Sequence, residues 1–222
     1  MSGQIKIAID GPAGSGKSTT ARLLAQKLNY IYIDTGAMYR AITLWWLQND
    51  KIPEDELSKK LKSIKIDLEY YDYEQITLLN GINVNEDIRK SDVSSNVSYI
   101  SSMNSVREYL VAVQRKLADN IGVVMDGRDI GTVVFPDAEL KIYLIADIKE
   151  RAKRRQKELH DKGHIIDLVD LENDIKIRDE KDSTRSISPL KKSDDAIEVD
   201  TSGMSIDEQV QKIYDLALNI IN

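Results

Sequence analysis

The chain has 222 residues, 41% of them hydrophobic and 31% charged, with a net charge of −6 and no cysteine. That length and apolar content suffice for one compact domain with a real core, and the lack of cysteine excludes a disulfide framework, thiolate nucleophiles and zinc–thiolate sites. The acidic balance argues against non-specific nucleic-acid binding, and no stretch approaches the roughly 18 apolar residues of a membrane span.

Ile5–Ile9 is a β-rich run that ends at Asp10. Neither a basic leader nor a signal-length apolar stretch precedes it, so a cytoplasmic protein is expected. A glycine-rich turn follows, then a helix over about Lys17–Leu28 with Leu23, Leu24, Lys27 and Leu28 as its packing stripe. Tyr30–Ile33 reads as a second strand ending at Asp34, and another helix begins near Ala37. Its Trp45 and Trp46 are expected in the core, where large aromatics usually lie. Ile66–Tyr70 and Ile76–Leu79 alternate with a period of two, and Asn80-Gly81 is a hairpin signal before Ile82–Val84. This predicts a small antiparallel insert between Lys65 and Val84. A helix over about Val106–Asn120 leads to strands at Val123–Asp126 and Leu140–Ile145. A charged helix spans Lys149–His160, and Lys162-Gly163-His164 breaks it. A helix over Leu168–Lys181, a strand at Ala196–Val199 and a closing helix over Ile206–Ile220 complete the chain. Strands alternating with helices predict a mostly parallel sheet covered on both faces.

Gly11-Pro12-Ala13-Gly14-Ser15-Gly16-Lys17-Ser18, with Thr19 next, matches G-x-x-x-x-G-K-[ST] where a strand gives way to a helix. Glycines let backbone N–H groups curl around phosphate oxygens, and the helix N-terminus adds about half a positive charge. Lys17 is placed to reach the β- and γ-phosphates, and the Ser18 hydroxyl to ligate Mg²⁺. No Asn-Lys-x-Asp guanine-reading motif is present, which speaks against a signalling GTPase. A small-molecule kinase needs a second anion site built from arginines, and a lid.

Arg40 and Arg128 follow two strand exits, the edge where open α/β sheets bind ligands. Arg151, Arg154 and Arg155 lie three and four apart, on one helix face, and suit an arriving polyphosphate; a lid over about 151–167 would carry them. Arg178 and Asp182 are four apart and can pair, either as a surface ion pair or as an oriented fork, with Arg185 just past the helix end. Asp10 and Asp126 could position metal-bound water or cap strand ends. His160 and His164 are expected to be non-catalytic, because phosphoryl transfer of this kind needs no imidazole.

Taken together, Ile9–Ser18, Asp34–Arg40, the run Asp126-Gly127-Arg128-Asp129-Ile130-Gly131-Thr132-Val133-Val134-Phe135-Pro136, and Arg178–Asp182 with Arg185 resemble the bacterial cytidylate kinases, over essentially the whole chain. The resemblance implies a three-layer αβα P-loop kinase with a five-stranded parallel sheet, the small insert and a helical lid. It implies a core over about 1–35, 100–150 and 185–222, a monophosphate-binding lobe over about 36–99, and that lid. ATP, CMP and dCMP are the implied substrates and Mg²⁺ the metal, acting in a monomer without nucleic-acid or membrane partners. Arg40, Arg128 and Arg185 would hold the acceptor phosphate beside Thr35, joining Lys17 in catalysis. Ser98, Arg107 and Asp129 would read the cytosine edge, and Arg178 and Asp182 would hold the pentose. A carboxylate accepts from the exocyclic amine of cytosine and an arginine donates to its acceptor positions; uracil reverses that pattern and leaves site groups unpaired. A kinase for UMP or AMP, and a non-enzymatic nucleotide sensor, are the alternatives.

Overall fold

The computed structural model describes residues 4–71, 73–119, 121–161, 163 and 165–222. The chain forms β1 (Lys6–Asp10), α1 (Lys17–Leu28), β2 (Ile31–Asp34), α2 (Thr35–Gln48) and α3 (Glu54–Lys60). Next come β3 (Ile66–Tyr71), β4 (Glu74–Leu79), β5 (Ile82–Asn83), α4 (Ser91–Ser102), α5 (Asn104–Leu117) and β6 (Val123–Gly127). It closes with β7 (Leu140–Ile145), α6 (Ile148–His160), α7 (Leu168–Thr184), β8 (Ile197–Asp200) and α8 (Ile206–Ile221). The main sheet is wholly parallel, in the order β2-β6-β1-β7-β8, and β3-β4-β5 form a separate antiparallel sheet. The expected fold class is therefore present, insert included.

Sheet alternation divides the core in two. Ile7 and Ile9 of β1 face a cluster with Val124, Leu140, Ile142, Leu144 and the buried sides of α1 and α8. Ala8, Ile33, Val123 and Met125 face the other way, into a larger cluster built from α2, α4, α5 and the base of the insert. A third, smaller cluster joins α6 to α7 through Ala152, Leu171 and Ile175.

Helix α1 has the expected bounds but a different packing face. Thr20, Ala21, Leu24 and Ala25 are buried, whereas Leu23 is half-buried and Lys27 exposed. The small residues let α1 lie close to the sheet and α8, which outweighs leucine count in choosing the face. Asp34 caps α2 by accepting from Ala37 N at 2.9 Å, which starts that helix two residues before Ala37. Trp46 is buried and donates to Ile52 O at 2.8 Å, and Trp45 packs half-buried against the same core. In the insert, Asn80 and Gly81 both take left-handed φ, 51° and 82°, as a tight hairpin turn requires.

Two helices, α3 and α4, have no counterpart in the sequence reading. Helix α4 is rich in serine, a weak helix former whose hydroxyl competes for backbone partners. Here Ser95 and Ser102 donate back to Ser91 O and Tyr99 O, and burial of Val93, Val97 and Ile100 holds the helix against α2 and α5. Helix α7 runs three residues beyond Lys181, and α5 lies at Asn104–Leu117 rather than Val106–Asn120. The expected end of α5 at Asn120 and two residues of the break at 162–164, including His164, fall outside the described residues.

Leu24 is fully buried where α1 seats the phosphate loop on the sheet. Leu24→Ala is expected to lower the unfolding free energy by about 2–5 kcal/mol. Urea denaturation measures this, and a loss under about 1 kcal/mol would mean that the helix does not depend on this contact.

Candidate active site

Because β1 lies between β6 and β7, the Gly11–Ser18 loop leaves the middle of the sheet's carboxyl edge. Three aspartates line that edge, with Asp34 in register with Asp126 and Ile9 in register with Asp126, one residue before Asp10. Gly16, at φ 91°, opens α1 in a left-handed conformation. Lys17 is buried and donates to Pro12 O at 3.3 Å. Burial, with the charge of Arg128 nearby, brings its ammonium down to about 7.

Ser18 Oγ donates to Asp126 Oδ2 at 2.8 Å, and Tyr32 donates to Asp126 Oδ1 at 2.8 Å. Burial and the charge of Asp34 push the Asp126 carboxyl up to about 6, against the pull of Lys17 and the two hydroxyls. A hydroxyl and a carboxylate side by side at a helix N-terminus are hard oxygen donors of the kind that magnesium takes. Asp10 is differently used: both its oxygens accept backbone N–H groups, of Ile130 and Gly131, at 2.8 Å each.

Arg151 and Arg154 both reach the loop, but at its carbonyls. Arg151 donates to Ala13 O at 3.1 Å and pairs closely with Asp179, which also accepts from Ala13 N at 3.3 Å. Arg154 donates to Ser15 O at 3.2 Å and to Thr201 O at 2.7 Å. Arg155 pairs with Glu158 at 2.7 Å. Arg151 and Arg154 thus hold the loop, while Arg155, half-buried, stands near enough to Arg178 for its charge to be felt there.

On the acceptor side Arg40 pairs with Asp34 at 3.2 Å. Thr35 Oγ1 donates to Asp126 O at 2.8 Å, next to Gly127. Arg107 pairs closely with Asp129 and donates to Ser101 O at 3.3 Å. Arg185 Nη2 lies 3.9 Å from Asp129, and its Nε donates to Ser188 O at 2.6 Å. Burial pushes the Asp129 carboxyl up, and Arg107, Arg185 and Arg128 pull it back. Ser98 is half-buried on α4, with its carbonyl accepting from Ser101 Oγ at 3.1 Å.

One expected pair does not form. Asp182 accepts from Arg128 Nε at 2.9 Å and makes no ion pair with Arg178. Asp182 is buried rather than on the surface, and the guanidinium coming from β6 takes it. Arg178 is left with its Nε buried and unbonded, and burial together with Arg128 lowers its guanidinium to about 10. Arg40 Nε, Arg107 Nε and Arg185 Nη2 are likewise buried without a hydrogen-bond partner. His160 is exposed at the end of α6, away from these groups; His164 lies outside the described residues.

The profile of the family described as cytidylate kinase matches residues 7–219. A cytidylate kinase of Chloroherpeton thalassium is 56% identical over 99% of this chain and 95% of that protein. One of Lactobacillus johnsonii is 51% identical over 96% and 93%, and one of Bacillus anthracis 49% identical over 99% of both. The chain belongs to the cytidylate kinase family. A solved structure of an uncharacterized protein from Eubacterium ventriosum aligns with 99% of this chain and 98% of its own, at a TM-score of 0.52 and 16% identity, a likeness of fold alone.

Several site neighbours escaped the sequence reading. Asp34 and Tyr32 sit at or near a strand exit, the same signal that singled out Arg40. Gln75, Asp179, Ser188 and Thr201 act through backbone contacts that no residue pattern announces.

A proton balance follows for Lys17. Its ammonium is lowered to about 7, and a triphosphate beside it would raise it again. Below pH 7 the group is charged with or without nucleotide, and no proton moves. Above pH 7 binding must take up a proton, so affinity falls as pH rises. Calorimetry of ATP binding at pH 8, in buffers of different ionisation enthalpy, should show uptake of a large fraction of one proton. No uptake, or release, would contradict a depressed Lys17.

Proposed function

We propose that the chain transfers the γ-phosphoryl group of ATP to CMP or dCMP, with Arg40, Arg128 and Arg185 holding the acceptor phosphate. The activity is that of its family, cytidylate phosphorylation by a phosphotransferase. The observation that supports Arg40 and Arg185 is that Arg40, Arg107, Arg178 and Arg185 on the acceptor side each have a buried N–H that no group among the described residues accepts; Arg128 is supported by its place at the exit of β6, where Asp182 holds it. Buried donors are costly when unpaired, and a dianionic phosphate, a pentose and a pyrimidine edge supply acceptors for them.

Lys17 and the loop amides of Gly11–Thr19 would hold the donor phosphates, with Arg151, Arg154 and Arg155 completing the charge over them. Ser18 would ligate Mg²⁺ with Asp126 at its side, and the metal would supply neutralisation of the negative charge on the transferred phosphoryl group. No general base is needed, because the acceptor oxygen is already anionic; the chain's part is alignment and stabilisation of spreading negative charge. Asp129, held between Arg107 and Arg185, would accept from the cytosine amine, with Arg107 and Ser98 at the neighbouring positions. Arg178 and Asp182 would take the pentose, Asp182 while also holding Arg128.

A lid over about 151–167 would carry Arg151, Arg154 and Arg155, with its helix α6 resting on α7 through Ala152, Leu171 and Ile175, while 36–99 would form the acceptor lobe. Among the described residues no helix is long and apolar enough to cross a membrane. A sequence without cysteine takes nothing from an oxidising compartment, which supports the cytoplasm.

Arg40→Ala and Arg128→Ala should each cut CMP phosphorylation by roughly 100-fold or more while leaving ATP affinity within a few-fold. Steady-state ADP release with CMP, dCMP, UMP and AMP as acceptors measures both points. Full activity in either variant would sink the phosphate-holding role, and preference for AMP would sink the base-reading residues.

A further inference from the structure

Asp10 ends β1 and immediately precedes the phosphate loop, yet neither of its oxygens is turned over to that loop. They accept from Ile130 N and Gly131 N, the first two N–H groups of a single π-type turn over Ile130–Val134. That turn starts one residue after Asp129 and two after Arg128. Its wide bonds run from Phe135 N to Ile130 O at 2.7 Å and from Val134 N to Asp129 O at 3.3 Å. Turns of this kind are rare and tend to sit at functional places.

The other end of the segment is held by cations. Lys141, from β7, donates to Pro136 O at 2.6 Å while pairing with Asp195 at 2.6 Å. Arg115, from α5, donates to Val134 O at 2.9 Å and Val133 O at 2.7 Å. An anion thus sits on the free N–H groups of the turn and a cation, Arg115, on its last two carbonyls, each sign matching the turn's dipole, while Lys141 holds the carbonyl of Pro136 just beyond it. Gly131 is pressed between two of these side chains. A Cβ there would lie 3.3 Å from Lys141 Cδ and 3.4 Å from Asp10 Oδ2.

We propose that Asp10 is a positioning residue for the acceptor. Its carboxylate fixes the start of the 130–134 turn to β1, and so sets where Arg128 and Asp129 stand relative to the loop that begins at Gly11. This rests on the reading of Arg128 and Asp129 as acceptor contacts. The donor loop and the acceptor side chains are registered to each other by two hydrogen bonds from one side chain.

Asp10→Asn keeps the shape but turns an amide N–H group toward one of the two backbone donors, so one bond is lost. The KM for CMP should rise about tenfold, the scale of one buried charged hydrogen bond. The preference for CMP over UMP in kcat/KM should narrow by a similar factor, and the KM for ATP should stay within about twofold. Hydrogen exchange at Ile130 and Gly131 should quicken. A lower melting temperature with the CMP/UMP ratio and KM for CMP unchanged would overturn the proposal, as would an equal rise in KM for both substrates. Should Asp10→Asn not fold, Asp10→Ser, which leaves a single small hydroxyl in place of the two carboxylate oxygens, is expected to give the same kinetic pattern; wild-type kinetics there would count against it. Asp129→Asn, run in parallel, separates the two readings. If it keeps the CMP preference, the base-reading assignment fails by itself, and the Asp10 proposal is then decided by the KM for CMP, which Arg128 on the same segment governs.

Discussion

Arg128 stands close enough to Lys17 and to Arg178 to make it harder for each to keep its proton; Arg178 adds to the effect on Lys17, and Arg40 to that on Arg178. Positive charges so placed, and partly out of water, would drive the site apart without compensation. The compensation is selective. Asp34 takes Arg40, Asp182 takes Arg128, and Asp129 stands between Arg107 and Arg185. Among the described residues no carboxylate pairs with Lys17 or Arg178, and it is there that excess positive charge remains for phosphate and sugar. The arrangement therefore holds together without substrate and is still not neutral.

The sheet order makes this possible. With β1 central, β6 beside it and β2 beyond β6, Asp10, Asp126 and Asp34 lie at neighbouring strand exits, yet each has separate work. Asp34 caps α2 and orients Arg40, Asp126 takes two hydroxyls, and Asp10 takes two backbone N–H groups. The insert also takes part. Gln75 of β4 accepts from Asp34 N at 2.8 Å, so the antiparallel sheet braces the strand exit that carries Thr35 and Arg40.

Most of the architecture was legible because period-two runs and a phosphate-loop pattern are strong local signals, and the hairpin announced itself through Asn80-Gly81. Helix α4 was not legible, since serine-rich composition hides a helix that only tertiary burial of Val93, Val97 and Ile100 holds. In the site, strand exits marked Arg40 and Arg128, and both Asp10 and Asp126 were singled out but not distinguished. What separates those two is which neighbour each faces, Ser18 or the Ile130 turn, and that depends on contacts more than a hundred residues apart in the chain. The Arg178–Asp182 pair failed for the same reason. Spacing on a helix says that two side chains can meet, but not that a third, from β6, reaches the carboxylate.

That exchange of partners gives α7 a particular place in the molecule. Asp179 accepts from Ala13 N of the phosphate loop and pairs with Arg151, while Asp182, less than one turn along, holds Arg128 beside the acceptor. A single turn of one helix thus touches both halves of the site. Any displacement of α7 must alter the contacts at the donor loop and at Arg128 together, because a helix turn is too stiff to move one residue and leave the other. Had Asp182 paired with Arg178 as their spacing allows, α7 would have carried a self-contained ion pair and the two halves would have been mechanically separate. The loss of the local pair is what joins them.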